Sequence, residues 1–176
     1  MIKKNIRIAL TGPESTAKST LTKDLANYFN GDYYLEYARE YFENHSTAYT
    51  RQDLETIAQK QIEQYREAED LRRDIVFFDT WLIITKIWFQ WVYKTVPNWI
   101  DEAVENLSID LYLLCLPDIP WEPDPLRENG GEHRQQLFET YKNELIKRKL
   151  NFVEIGGEGQ ARVQNAIDAV KEFIDA

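Results

Sequence analysis

Apolar and polar positions alternate between two periods along this chain, and the switches mark its elements. Residues 5–10 form a short apolar run, and 18–29 follow at helical spacing. Tyr33-Tyr34-Leu35-Glu36 reads as a second strand with a short helix behind it. Thr50-Arg51-Gln52-Asp53 is a variant helix-start box, with Asp53 in place of the usual Glu or Gln. The helix it opens runs to about Arg73, with Leu54, Ile57, Ala58, Gln61, Ile62, Tyr65, Ala68 and Leu71 on one face. Ile75-Val76-Phe77-Phe78 is continuously apolar, as suits a parallel strand buried on both faces, and it ends in Asp79-Thr80. Helices are predicted over 81–95, broken by Val96-Pro97, and over 98–107. Strand 111–116 comes next, then a long loop over 117–131 with four prolines and two glycines. A helix over about 134–149, a strand at 152–155, Gly156-Gly157 and an amphipathic helix complete the chain. Five strands with helical crossovers and no internal repeat predict a doubly wound α/β fold: a five-stranded parallel sheet with helices on both faces.

Such sheets bind ligands at the carboxyl ends of their strands. The first strand leads there into Gly12-Pro13-Glu14-Ser15-Thr16-Ala17-Lys18-Ser19-Thr20, close to the phosphate-binding pattern G-x-x-x-x-G-K-[ST]. In that pattern backbone N–H groups of Gly12 and of Glu14 to Thr20 surround the phosphates, and the Lys18 ammonium reaches the outer ones. The Ser19 hydroxyl completes an Mg²⁺ shell, and the helix points its positive end inward. A strand before the loop and a helix after it support ATP and Mg²⁺ as cofactors, over a chance Gly/Ser/Thr-rich turn. Ala17 stands where the second glycine belongs, and its Cβ restricts the loop wherever a positive φ is needed.

Phosphoryl transfer requires positioning, cations on the moving charge and a group that orients the attacking hydroxyl. Asp79, at the end of an apolar strand, is a candidate Mg²⁺-side carboxylate or catalytic base, or the N-cap of the helix that follows. Glu36 is a candidate for holding the hydroxyls of a second substrate, or one half of a surface ion pair. Arg39 is its partner or a phosphate contact. Asp79 is placed nearest the chemistry and Glu36 on the acceptor's ribose, although the two roles could be exchanged, since sequence gives order along the chain and not distances. The segment about 117–134 reads as a lid, with Arg127 and Arg134 swinging onto the triphosphate, or as a solvated charged loop. Among many core-type aromatics, Trp88 and Trp121 are candidates for stacking on a flat ring.

The chain has 176 residues, 43% of them hydrophobic and 29% charged, which suits one domain over 1–176. A net charge of −9 argues against nucleic acid as a partner. The most hydrophobic window, 81–92, contains Lys86 and Gln90 and is too short to span a bilayer, so no membrane partner is expected. With no secretory pattern at the start and a single cysteine, Cys115, in an apolar strand, a cytoplasmic location is expected. Neither zinc-ligand spacing nor a Ser-His-Asp grouping can be assembled, which removes zinc-enzyme and triad-hydrolase classes. Oligomeric state is left open.

Together these motifs resemble the NadR-like ribosylnicotinamide kinase family. The resemblance is carried by G-P-E-S-T-x-K-S-T, Glu36-Tyr37-Ala38-Arg39-Glu40-Tyr41, Asp79-Thr80 with Thr85-Lys86-Ile87-Trp88, and Asp118-Ile119-Pro120-Trp121 with Asp124 and Arg127. It implies a P-loop kinase fold with strand order 2-3-1-4-5 and a lid loop. It also implies ATP-dependent phosphorylation of the ribose 5′-hydroxyl of nicotinamide riboside, with Glu36, Arg39, Trp88, Trp121 and Asp124 on the nucleoside side. The helix-turn-helix and nucleotidyltransferase domains of larger members are not expected here, since the phosphate loop begins near residue 12 and no H-x-G-H signature occurs. Two alternatives stand beside this reading: a kinase for another nucleoside or nucleotide, and an ATP-binding regulatory module without efficient transfer.

Overall fold

The computed structural model describes residues 5–45, 48–70 and 73–176. Five strands, β1 (Ile6–Thr11), β2 (Asp32–Tyr34), β3 (Ile75–Asp79), β4 (Leu111–Cys115) and β5 (Phe152–Ile155), form one sheet ordered β2-β3-β1-β4-β5. Every pairing is parallel; Leu10 lies opposite Asp79 on β3 and Leu113 on β4. The phosphate-loop strand is therefore central, flanked by the strand ending in Asp79. Helices α1 (Lys18–Phe29), α2 (Tyr37–Glu43), α3 (Arg51–Glu67), α4 (Leu82–Tyr93), α5 (Asn98–Asn106), α6 (Glu132–Lys147) and α7 (Gly159–Asp175) connect or follow the strands.

The alternation along each strand sorts its side chains between two cores. Ile8, Leu10, Phe77, Leu113 and Cys115 face α1 and α7, with Leu21, Leu25 and Val170 filling the layer. Ala9, Val76, Phe78, Tyr112 and Leu114 face α3 to α6, where Leu54, Trp81, Ile87 and Leu137 pack. Both residues of each pair in β3 are thus buried, which accounts for its unbroken apolar run. The Thr50 box forms as the sequence predicts: the Thr50 hydroxyl accepts from the Asp53 N–H, and the Asp53 carboxylate accepts from the Thr50 N–H at 2.6 Å.

Several boundaries differ from the sequence expectation. β2 stops at Tyr34, so Glu36 sits in the turn at the start of α2 rather than on the strand. Helix α3 ends at Glu67 in a 3-10 turn, Ala68–Asp70, and the Leu71 position of its pattern lies outside the described residues. Helix α6 begins at Glu132, which puts Arg134 inside a helix. Lys86, buried on α4, is held by Glu144 and Asp101, and Arg148 bonds both of these carboxylates at 2.6 Å, tying α4, α5 and α6 together. Among the described residues no helix is long and apolar enough to cross a membrane.

Candidate active site

The carboxyl ends of the strands open into a cleft of about 700 Å³. That size is within the range of small-ligand sites. One wall is the loop after β1. Gly12 has φ 146°, and a Cβ there would lie 2.7 Å from the Cys115 carbonyl oxygen, so only glycine fits where β1 leaves β4. Glu14, Ser15, Thr16, Ala17, Lys18, Ser19 and Thr20 all line the cleft. The Lys18 ammonium donates to the carbonyls of Gly12 (2.9 Å) and Pro13 (2.8 Å), and the Thr16 hydroxyl also donates to Pro13 (2.8 Å). Ala17 has φ 62° and ψ 23°, the left-handed conformation that the sequence flags as costly without a glycine. Ser15 is also left-handed, at φ 57°. Each such non-glycine residue costs roughly 1–2 kcal/mol.

Asp79 is buried beside this loop, and its carboxylate accepts from the Ser19 hydroxyl at 2.5 Å. Its reading as a helix N-cap is overturned: Trp81 is the N-cap of α4, and no side chain caps that helix. The next residue, Thr80, has φ 70°, an outlier for a β-branched side chain, held where its N–H donates to the Leu10 carbonyl at 3.1 Å. Strain of this kind concentrates where a side chain must be aimed against local preference.

Glu36 lines the same cleft, near enough to Asp79, Lys18 and Glu14 to feel their charges. Burial, and then the nearby Asp79 carboxylate, push its carboxyl up to about 7, with Lys18 acting the other way. The expected surface pair of Glu36 with Arg39 is replaced. Arg39 binds Asp124 at 2.5 Å and Glu43 at 3.5 Å, because Asp124 also accepts the Leu126 N–H and is fixed in reach. Asp124 does not line the cleft; it anchors Arg39, which does. Both interactions hold the Asp124 carboxyl below the usual carboxylate range.

Trp88 lines the cleft beside Ala38, Phe42 and Tyr49. Its indole N–H donates to the Tyr49 hydroxyl at 2.9 Å, which donates in turn to Glu128 at 3.3 Å. Trp121 does not join this wall. Its half-buried ring lies against Gly130, and the Arg134 guanidinium stands 5.9 Å from its centroid. Arg127 lines the cleft, its guanidinium resting on the Glu122 carbonyl. Arg134 does not: it is 7% exposed and bonds the carbonyls of Glu14 (3.1 Å), Ser15 (2.5 Å) and Ile119 (2.8 Å). The expectation of two arginines free to swing is therefore corrected for Arg134, whose early place in α6 turns it beneath the phosphate loop.

Sequence reasoning missed Arg162. It is 2% exposed, bonds Asp118 at 2.6 Å and the Leu116 and Gly157 carbonyls, and lines the cleft next to the β5–α7 turn. Its signal was available: Arg162 falls on the buried stripe of α7, in step with Ala166 and Val170. Cys115, fully buried with its thiol raised to about 11 by burial, is core.

A central strand, a phosphate loop and α1 behind it, in a sheet ordered β2-β3-β1-β4-β5, define the fold of P-loop kinases. A family model described as an AAA domain matches residues 7–162, and the chain belongs to that family. The resemblance read from the motifs is matched as well. The trifunctional NAD biosynthesis/regulator protein NadR of Salmonella typhimurium is 26% identical over 173 residues, 95% of this chain and 42% of the relative. The chain thus spans less than half the length of that protein. A crystal structure of NadR protein in complex with NR superposes with TM-score 0.78 at 23% identity, covering 99% of this chain and 52% of the other. Deoxyadenosine kinase from M. mycoides gives TM-score 0.66 at 14% identity, over 95% of this chain and all of that one.

Proposed function

We propose that this chain is a MgATP-dependent nucleoside kinase that phosphorylates the ribose 5′-hydroxyl of nicotinamide riboside, giving nicotinamide mononucleotide and ADP on a salvage route to NAD. The observation that carries it is the presence at one cleft of a phosphate loop tied to Asp79 and of Glu36, a carboxyl raised to about 7. Relatedness to NadR and the fold shared with an NR-bound structure support the choice of acceptor.

The triphosphate lies along the N–H groups of residues 14–20, with Lys18 leaving its two carbonyls for the outer phosphates. Ser19 Oγ and the Asp79 carboxylate are hard oxygen donors 2.5 Å apart, the donor type that fits Mg²⁺. Among the described residues no three His, Cys, Asp or Glu side chains converge as a metal cage, which suits an ion completed by phosphate oxygens and water. Mg²⁺ bound there supplies neutralisation of charge on the β- and γ-phosphates. Asp79 is thereby committed to the phosphate side, and Glu36 is the group that orients the acceptor hydroxyl. As the bond between the 5′-oxygen and the γ-phosphorus forms, the bond from that phosphorus to the bridging β–γ oxygen breaks. The hydroxyl proton passes to Glu36, and ADP leaves. A group that titrates near 7 suits accepting that proton at neutral pH. Phe42, Tyr49 and Trp88 offer a wall for a flat ring, and a pyridinium cation gains further from a π-face. The buried thiol of Cys115 fits a reducing, cytoplasmic setting.

A nucleoside panel assayed for ADP release tests this. Nicotinamide riboside should turn over fastest. Faster turnover of uridine, thymidine or a monophosphate would replace the acceptor while keeping the kinase. ATP binding without acceptor-dependent ADP release would overturn the kinase itself.

A further inference from the structure

We infer that Arg134 is a positioning residue for the phosphate loop, a buried clamp that holds the loop tip in its nucleotide-binding shape from the side away from the ligand. The inference rests on the ATP-site reading above. Two residues of the tip, Ser15 and Ala17, are left-handed without being glycine. A loop of this sequence therefore resists its own conformation, and something outside it must hold it. Arg134 supplies two bonds to the loop and a third that anchors the guanidinium elsewhere. Its Nε bonds the Glu14 carbonyl, one terminal nitrogen the Ser15 carbonyl, and the other the Ile119 carbonyl on the segment after β4.

The consequence for ligand binding follows from peptide geometry. In a trans peptide the C=O of one residue and the N–H of the next point in opposite directions. Fixing the carbonyls of Glu14 and Ser15 beneath the loop fixes the N–H groups of Ser15 and Thr16 on the other side. Those are donors that a P-loop offers to phosphate. A cation on the carbonyl end also polarises each peptide and strengthens the donor at its other end. The next segment reinforces the clamp: the Glu14 carboxylate accepts the N–H groups of Glu128 (3.0 Å) and Asn129 (2.9 Å), and the Ser15 hydroxyl accepts that of Glu122 (3.0 Å). Arg134 reaches two successive loop carbonyls and a third on the segment after β4 with one rigid planar fork, which a lysine ammonium cannot copy.

This role separates from phosphate contact by kinetics. An arginine that meets charge developing in transfer lowers kcat when lost. A clamp weakens every nucleotide that uses the loop, ADP and ATP alike, and leaves kcat at saturation nearly intact. The experiment is calorimetric titration of Arg134→Lys and Arg134→Ala with MgADP and with MgAMP-PNP, alongside kcat at saturating ATP. Melting curves confirm that each variant is folded, and Arg134→Gln replaces either one that is not. The dissociation constants for both nucleotides should rise about tenfold or more. The kcat at saturation should stay within about threefold, and methylguanidinium should restore part of the affinity of Arg134→Ala. Wild-type protein that binds no nucleotide would sink the ATP site and this inference with it. Wild type that binds, with Arg134→Lys binding equally well, would overturn the inference alone. Unchanged affinity with a collapsed kcat would also overturn it, assigning Arg134 to the transfer step.

Discussion

The phosphate wall and the aromatic wall of the cleft are made by opposite means. The wall proposed for the phosphates is one continuous stretch, residues 12–20, whose proposed working groups are backbone N–H donors with Lys18 and Ser19 added. Its precision comes from constraint: a glycine that no other residue can replace, two strained left-handed positions, and carbonyls tied by Lys18, Thr16 and Arg134. The aromatic wall gathers side chains from the β2–α2 turn, α2, the segment before α3, and α4, and it works through their shape and charge. On the proposed function, backbone donors accept any triphosphate, so the first wall would set the class of reaction. Side chains distinguish one small molecule from another, so on the same reading the second would set the acceptor. The two walls meet in one chain of contacts, from Trp88 through Tyr49 to Glu128, whose N–H bonds Glu14 of the phosphate loop.

The sharpest way to break this division is Lys18→Ala. The ammonium is held by two loop carbonyls, and the core of the fold does not depend on it. Its loss should lower kcat/KM for ATP on the order of 10²-fold or more while the protein still melts cooperatively. ADP release and a melting curve on one sample check both halves. Full activity in the folded variant would mean that this wall does not hold the triphosphate.

Glu36→Gln probes the other wall, and its effect should be smaller and dependent on pH. With the carboxyl raised to about 7 in the free protein, wild-type kcat/KM for the acceptor should climb as pH rises through that value and then level off. The glutamine variant should be flat and lower, on the order of 10- to 100-fold at pH 8. Stability should move the opposite way. A carboxyl raised in the folded state holds its proton more tightly there than in the unfolded chain. The folded protein therefore loses stability from this group as pH rises from about 4.5 towards about 7, with no further loss above. Glu36→Gln, neutral throughout, should melt close to wild type at pH 4.5 and above it at pH 8. An identical pH-rate profile in both proteins would remove Glu36 from the chemistry.

Much of the first wall was legible because its determinants are local. The strand, loop and helix are consecutive, and Gly12, Lys18 and Ser19 stand at fixed spacing. Periodicity likewise placed all five strands and the Thr50 box, since each depends on neighbours within a few residues. What escaped depends on contacts across the chain. Arg134 and Trp121 lie in a charged, proline-rich stretch where an arginine aimed at a ligand and one aimed at residues 14 and 15 look the same. The difference is set over more than a hundred residues of separation. Asp124 could be read as a ligand group because its partner Arg39 is 85 residues away. Arg162 carried a clue, a charge on an apolar helix stripe, but not its partner Asp118.

The smallest expected effect refines the comparison most. Ala17 has φ 62° and is exposed at the mouth of the loop, so a change there removes a Cβ and little packing. Glycine takes this conformation without the Cβ clash, and Ala17→Gly should relieve roughly 1 kcal/mol of strain. Where that relief appears depends on what holds the loop. If the unliganded loop already has its binding shape, held from below by Arg134, the strain is present with and without nucleotide. The gain should then be a melting temperature higher by a few degrees at unchanged ATP affinity. If instead the loop reaches this shape only on binding, the relief should appear as ATP affinity tightened up to about fivefold, with the melting temperature of the free protein unmoved. Melting curves without ligand and calorimetric titration with MgATP, on wild type and Ala17→Gly together, separate the two. The bonds from Arg134 and Lys18 to the loop carbonyls in the unliganded structure favour the first outcome.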